Sequence, residues 1–218
     1  RETDLWIRAV RNLEKEASQA VLNCRLQIEN YIASHNSFLR SLTPLPDDPL
    51  APPLVRRMLR AASAAGVGPM AGVAGAIAQA VAVALKPLSN SLIVENGGDC
   101  YLDLSEETTI GIFAGPHSPF TGKIALKFGP SRFPLGVCTS SGTVGHSVSF
   151  GKADAITVVS KDAALADAAA TRIGNQVNTP ADLPGALEIA RGIPNLDGVL
   201  ITIRDKMGMW GNLELVPI

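Results

Sequence analysis

The chain has 218 residues, 46% of them hydrophobic and 18% charged, with a formal net charge of −1. Such a composition excludes a disordered chain, which is poor in aliphatics and high in net charge, and it supplies enough apolar surface for a core without disulfide staples. The absence of a basic excess argues against nucleic acid and anionic membranes as partners.

Residues 4–10 read as a short strand. A long amphipathic helix follows, in which Leu13, Ala17, Ala20, Val21, Cys24, Ile28, Tyr31 and Ile32 share one stripe. His35 sits just past its end, where a histidine complements the helix dipole. Residues 43–53 hold five prolines and read as a connection. Pro53 suits the first turn of a helix whose apolar face is Leu54, Val55, Met58, Leu59 and Ala62, with Gly66 as its stop. Arg56, Arg57 and Arg60 on that helix form either a solvated face or a phosphate contact. Residues 61–85 carry no charge and are mostly Ala, Gly and Val. Ala and Gly gain little on transfer to lipid, and the stretch from Gly66 to Pro69 interrupts a spanning helix, so a buried helix is expected rather than a membrane span.

The pattern then changes to strands, at residues 92–94, 100–102, 109–113, 123–128, 136–138 and 155–159. Residues 123–128 alternate polar and apolar, so one face of that strand should be wet. An Ala-rich helix is expected from Asp162 to about Asn175 and another over 182–191. Residues 198–203 and 213–216 read as a closing hairpin around Gly208 and Gly211. Helices and strands mix without regular βαβ alternation. The expected class is therefore α+β: a single domain over 1–218, with a mixed β-sheet packed against the long N-terminal helix and the buried Ala/Gly-rich helix. Cys24, Cys100 and Cys138 form no metal or disulfide spacing and read as free thiols of a reducing compartment. No signal peptide is visible in a chain that starts at Arg1, and a cytoplasmic location is the expectation.

Three segments carry chemistry. Asn96, Gly97, Gly98 and Asp99 follow a strand; adjacent glycines let a ligand approach the backbone, and the same four residues make a good hairpin turn. Residues 139–147 leave a strand with hydroxyls at Thr139, Ser140 and Ser141 and a histidine at His146. This is either a donor-rich anion loop with His146 as a general base, or a plain polar loop. Asp167, Thr171, Asn175 and Asn178 are spaced to share one helical stripe. Asp167 and Thr171 offer hard oxygens one turn apart, which suits Mg²⁺, or they belong to a solvated face.

Together these segments resemble a family. Glu95-Asn-Gly-Gly-Asp99, Cys138-Thr-Ser-Ser-Gly142 with Gly145-His-Ser147, and Ala166-Asp-Ala-Ala-Ala-Thr171 appear in the order seen in the ApbE-like superfamily, the FAD:protein FMN transferases. Val73-Ala-Gly-Ala-Ile-Ala78 resembles that family's Gly-Gly-Ile-Ala-Lys-Gly helix start. The resemblance implies an ApbE-like domain, with Mg²⁺ held by Asp167, Thr171 and the carbonyl of Ala78. It implies FAD as ligand near Asn96–Asp99 and Thr139–Ser141, and His146 as base. The metal would polarise a phosphorus of the FAD pyrophosphate. A Thr or Ser hydroxyl of an acceptor protein would attack, AMP would leave, and FMN would stay esterified to the acceptor. Gln79 replaces the family lysine and Ala80 the following glycine, so metal and ligand binding are better supported than transfer. The alternatives are a flavin- or nucleotide-binding protein without transferase activity and a structural reuse of the fold. A homo-oligomer is compatible with all of these.

Overall fold

The computed structural model describes residues 3–143 and 151–218. Strand β1 (Trp6–Ala9) leads into helix α1 (Glu14–Ser34), the short α2 (Asn36–Arg40) and α3 (Pro53–Ala65). Pro53 starts α3, and Gly66 ends it in the left-handed conformation, φ +75°, as the sequence suggests. After Gly66 the uncharged stretch forms a 3-10 turn (Pro69–Gly72) and α4 (Val73–Leu85), and a second short 3-10 turn (Lys86–Leu88) follows it.

Strands β2 (Leu92–Asn96), β3 (Asp99–Asp103), β4 (Thr108–Gly111), β5 (Ile124–Phe128), β6 (Leu135–Ser140) and β7 (Ala155–Ser160) come next. Helices α5 (Ala163–Gly174) and α6 (Leu183–Gly192) precede β8 (Leu196–Ile203), β9 (Lys206–Gly211) and β10 (Glu214–Pro217).

Seven strands form one sheet in the order β1-β2-β3-β6-β7-β8-β9, and three form a second in the order β10-β5-β4. The α+β class holds, and where a mixed sheet was expected every described ladder is antiparallel. Period-two alternation splits the large sheet's side chains between two cores. Leu92, Val94, Tyr101, Ile156, Val158, Val199 and Ile201 face the helices. Ile93, Leu102, Leu135, Val137, Val159 and Leu200 face Leu126 and Phe128 of the small sheet.

Helix α4 lies against the large sheet between α1 and α5, with Ala76, Ala78 and Val81 fully buried. The run Pro69–Leu88 is long and apolar enough to cross a membrane by length and composition, and half of its most apolar window is buried in this packing. The wet face expected of β5 is only partly realised. Lys127 reaches Glu107 at 3.1 Å, but Ala125 is buried because β5 is the centre of its sheet.

The C-terminal expectation is corrected. β8 pairs with β9, Ile203 opposite Lys206, so the turn lies at Arg204–Asp205 and Gly208 and Gly211 sit within β9. Residues 214–217 cross instead to the small sheet and pair with β5. Pattern alone shows that a strand exists; which edge it completes depends on the second core.

Candidate functional site

The Asn96–Asp99 segment is the two-residue turn of the β2–β3 hairpin, with Asn96 opposite Asp99. Gly97 and Gly98 have φ of +64° and +101°, the left-handed conformations that a tight primed turn requires of both central residues. Both glycines are exposed. The polar residues on either side turn inward. Asn96 Nδ2 donates to the Ala74 carbonyl at 3.1 Å. Asp99 is buried, 7% exposed, and its Oδ1 accepts from the Thr139 amide at 3.2 Å. The hairpin turn is thereby tied to the start of α4 and to the end of β6.

Asp167 closes the cluster from α5. Its Oδ2 accepts from the Gly75 amide at 3.0 Å, and the Ala74 amide also stabilises its charged form. These amides belong to the first turn of α4, whose N-cap residue, Gly72, has no side chain to satisfy them. Asp167 therefore acts as a cap delivered from another helix. Gly75 makes the approach feasible: a Cβ there would lie 2.2 Å from the Ala163 carbonyl oxygen and 3.0 Å from Asp167 Cβ.

Helix α5 is capped in return. Gln79 Oε1 accepts from the Ala163 amide at 2.9 Å, and Asp162 Oδ1 accepts from the Ala164 amide at 3.0 Å. This explains one departure from the family pattern. A lysine at position 79 has no acceptor for that amide, whereas a buried glutamine supplies one.

The two carboxyls interact. Burial pushes Asp167 up to about 7 against the pull of the Gly75 and Ala74 amides. Burial, and next the nearby Asp167, hold Asp99 well above the usual carboxylate range, opposed by the Cys138 thiol and the Thr139 amide. Neither acid has an ion-pair partner among the described residues. Cys138 sits among them, its Sγ donating to the Ala163 carbonyl at 3.3 Å, and burial first and the two acids next keep its thiol protonated.

Thr171, one turn beyond Asp167 on α5, is half-buried, and its hydroxyl has no partner among the described residues. Thr139 Oγ1 lies 3.0 Å from Thr157 Oγ1 across the β6–β7 ladder. Ser140 and Ser141 are half-buried at the end of β6, and Ser141 Oγ accepts from the Thr143 amide at 3.1 Å. Ala78 lies three residues beyond Gly75 and is fully buried inside α4, where a backbone carbonyl belongs to the helical ladder. The groups of α4 that reach Asp167 are the Ala74 and Gly75 amides. The stripe Asp167, Thr171, Asn175, Asn178 does not continue as drawn: α5 ends at Gly174, Asn175 is its C-cap, and the exposed Asn178 gives its amide to Asp182 at 2.9 Å. His146 lies outside the described residues.

The fit to a divalent cation rests on the donor set. A buried and a half-buried carboxyl without a cationic partner, beside a free hydroxyl, are hard oxygen donors of the kind Mg²⁺ takes while keeping several waters. Among the described residues no group of three or more His, Cys, Asp and Glu forms a metal cluster, so waters or ligand oxygens must complete the shell. The missed contributors are the amides of Ala74 and Gly75, Gln79 and Cys138. Only Gly75 had a readable signal, as a glycine inside an Ala-rich helix, which marks close backbone approach.

An antiparallel sheet with the Asn-Gly-Gly-Asp turn, the β6 end and two mutually capped helices on one side defines an ApbE-like protein. The chain belongs to the AbpE bacteria family, whose model matches residues 1–192. It is 43% identical over 208 residues to the UPF0280 protein MJ1526 of Methanocaldococcus jannaschii, covering 93% of this chain and 84% of that protein. It is 41% identical over 202 residues to the UPF0280 protein Mbar_A3697 of Methanosarcina barkeri, covering 92% and 79%. Among solved structures, a mutant of the flavin transferase ApbE from Vibrio cholerae matches with a TM-score of 0.58 at 11% identity, over 95% of this chain and 93% of that one. The apo flavinyl transferase ApbE of Pseudomonas stutzeri matches at 0.50 with 12% identity, over 99% and 94%. At such identities the structural likeness speaks to the fold.

Proposed function

We propose that the chain is a Mg²⁺-dependent flavin-nucleotide-binding protein with FAD as its ligand. The observation that carries this reading is the pair of the buried Asp99 and the half-buried Asp167, which lacks a cationic partner among the described residues at the meeting point of the hairpin turn, the β6 end and the start of α4. The fold shared with proteins described as flavin transferases supports the choice of ligand. Asp99, Asp167 and Thr171 hold the cation. The Gly97 amide and the hydroxyls of Thr139, Ser140 and Ser141 face phosphate oxygens, as donor-rich concavities do, while the Gly98 amide is held by Glu95 Oε1 at 2.6 Å. A bound divalent cation supplies neutralisation of pyrophosphate charge and polarisation of phosphorus. His146 is the residue proposed to take a proton from an acceptor hydroxyl if FMN is transferred to a protein.

Binding without transfer is the second reading. It is favoured by Gln79, whose side chain is committed to the Ala163 amide where the family lysine would bring a charge. Isothermal titration of FAD with and without Mg²⁺ tests the first proposal: binding should require the cation and be lost in Asp167→Asn. FAD binding that ignores Mg²⁺, or no FAD binding at all, overturns it. Release of AMP from FAD in the presence of candidate acceptor proteins separates transfer from binding.

A further inference from the structure

The large sheet has two unlike edges. At one end, β9 carries Lys206 and two glycines and is covered on its helix side by α6, devices that discourage edge pairing. At the other end, the outer edge of β1 has no strand partner among the described residues. Burial alternates strictly from Thr3 to Val10, well beyond the four residues that pair with β2. Leu5, Ile7 and Ala9 face the helix-side core. With Leu13 just before α1 and Ala17 and Val21 on it, they line an apolar groove of about 850 Å³ just outside the edge. Trp6 on the other strand face and Leu22 and Leu26 on α1 are all more than half exposed. Isolated exposed apolar residues are ordinary, but a cluster of them along an unpaired strand marks an interaction surface.

The sequence of the strand indicates its partner. In an antiparallel pair about a two-fold axis perpendicular to the sheet, residue i faces residue S − i. The helices of both copies stay on one side only when S is even. With the axis at Trp6, Asp4 faces Arg8 twice, Leu5 faces Ile7 twice on the groove side, and Trp6 faces Trp6. These pairs are opposite in charge, aliphatic or aromatic, the combinations that stabilise cross-strand contacts, and the remaining pair sets Thr3 against Ala9. Neither Asp4 nor Arg8 has an ion-pair partner among the described residues. A two-fold interface uses the same patch on both copies and closes; pairing of β1 with β9 would instead give open arrays.

We propose that two copies of this chain pair through β1 in the register centred on Trp6, giving one continuous sheet across a dimer, with Leu22 and Leu26 of the two α1 helices flanking the joined grooves. Sedimentation velocity on the full chain tests this over concentrations up to about 100 µM, a range that detects dissociation constants weaker than micromolar. The wild type should sediment as a dimer. Arg8→Asp sets two carboxylates against each other in each pair and should raise the dissociation constant by about tenfold or more. The double variant Asp4→Arg with Arg8→Asp should restore the dimer, because it exchanges the charges without changing the register. Trp6→Cys should form a disulfide-linked dimer under mild oxidation, with circular dichroism confirming the fold of each variant. A monomeric wild type, open-ended assemblies, a dimer indifferent to Arg8→Asp, or a charge swap that fails to restore pairing would each overturn the proposal.

Discussion

Helices α4 and α5 begin with the same problem and solve it with different chemistry. Each is short and rich in alanine, and each leaves first-turn amides that its own N-terminal stretch satisfies only in part or not at all. At α5, Asp162 and the neutral side chain of Gln79 close the gap. At α4 the gap is closed from α5 by Asp167, a carboxylate that must share its surroundings with a second acid, the buried Asp99. A neutral amide would have capped α4 without that repulsion. The α5 start is closed by a neutral amide and an acid outside the pair, whereas the α4 start rests on an acid whose charge raises the proton affinity of its neighbour, Asp99.

Four experiments break or sharpen this contrast. The largest effect should come from Gly75→Ala, which damages both caps at once by placing a Cβ 2.2 Å from a backbone oxygen of α5. Stability should fall by at least about 3 kcal/mol, roughly 6–12 °C in melting temperature at this chain length, read by circular dichroism. A stable Gly75→Ala protein would show that the helices do not meet as described.

The next effect is a pH dependence. Asp167 titrates near 7 in the folded protein against about 3.9 for an unperturbed aspartate. The folded state thus binds more protons than the unfolded state between these values, and stability falls as pH rises. In EDTA the metal-free protein should lose roughly 4 kcal/mol between pH 4 and pH 8, and Asp167→Asn should flatten the profile while keeping an acceptor for the Gly75 amide. Denaturant titrations across that range are the measurement, and a profile that rises with pH would contradict the raised proton affinity of this acid pair.

Gln79→Ala should act in the opposite sense. It leaves the Ala163 amide buried without an acceptor, costing about 2 kcal/mol. The shift in melting temperature produced by Mg²⁺ should survive this change and disappear in Asp167→Asn. If both variants lose it, the two caps are not functionally distinct. The smallest effect belongs to Thr171→Val, which removes one neutral oxygen at similar volume. Stability should stay within about 0.5 kcal/mol, and Mg²⁺ affinity measured by calorimetry should weaken by less than about tenfold.

Much of this was legible in residue order. The stripe of α1, the Pro53 start and Gly66 stop of α3, the Asn-Gly-Gly-Asp turn and the Ala-rich α5 follow from periodicity and from backbone conformations that few residues allow; these are local, short-range physics. The position of residues 214–217 was not, because a four-residue apolar strand carries no mark of the edge it will complete. The candidate site divides in the same way. The sequence by itself determined that Asp99 follows a tight turn and that Asp167 and Thr171 share a helix face. Only the tertiary structure decided that Asp167 caps a helix 92 residues away in sequence, that Gln79 repays α5, and that Asp167 lies close enough to raise the proton affinity of Asp99. Those are contacts of distant side chains with backbone amides and with each other, and every residue but proline carries the same backbone amide whatever its side chain.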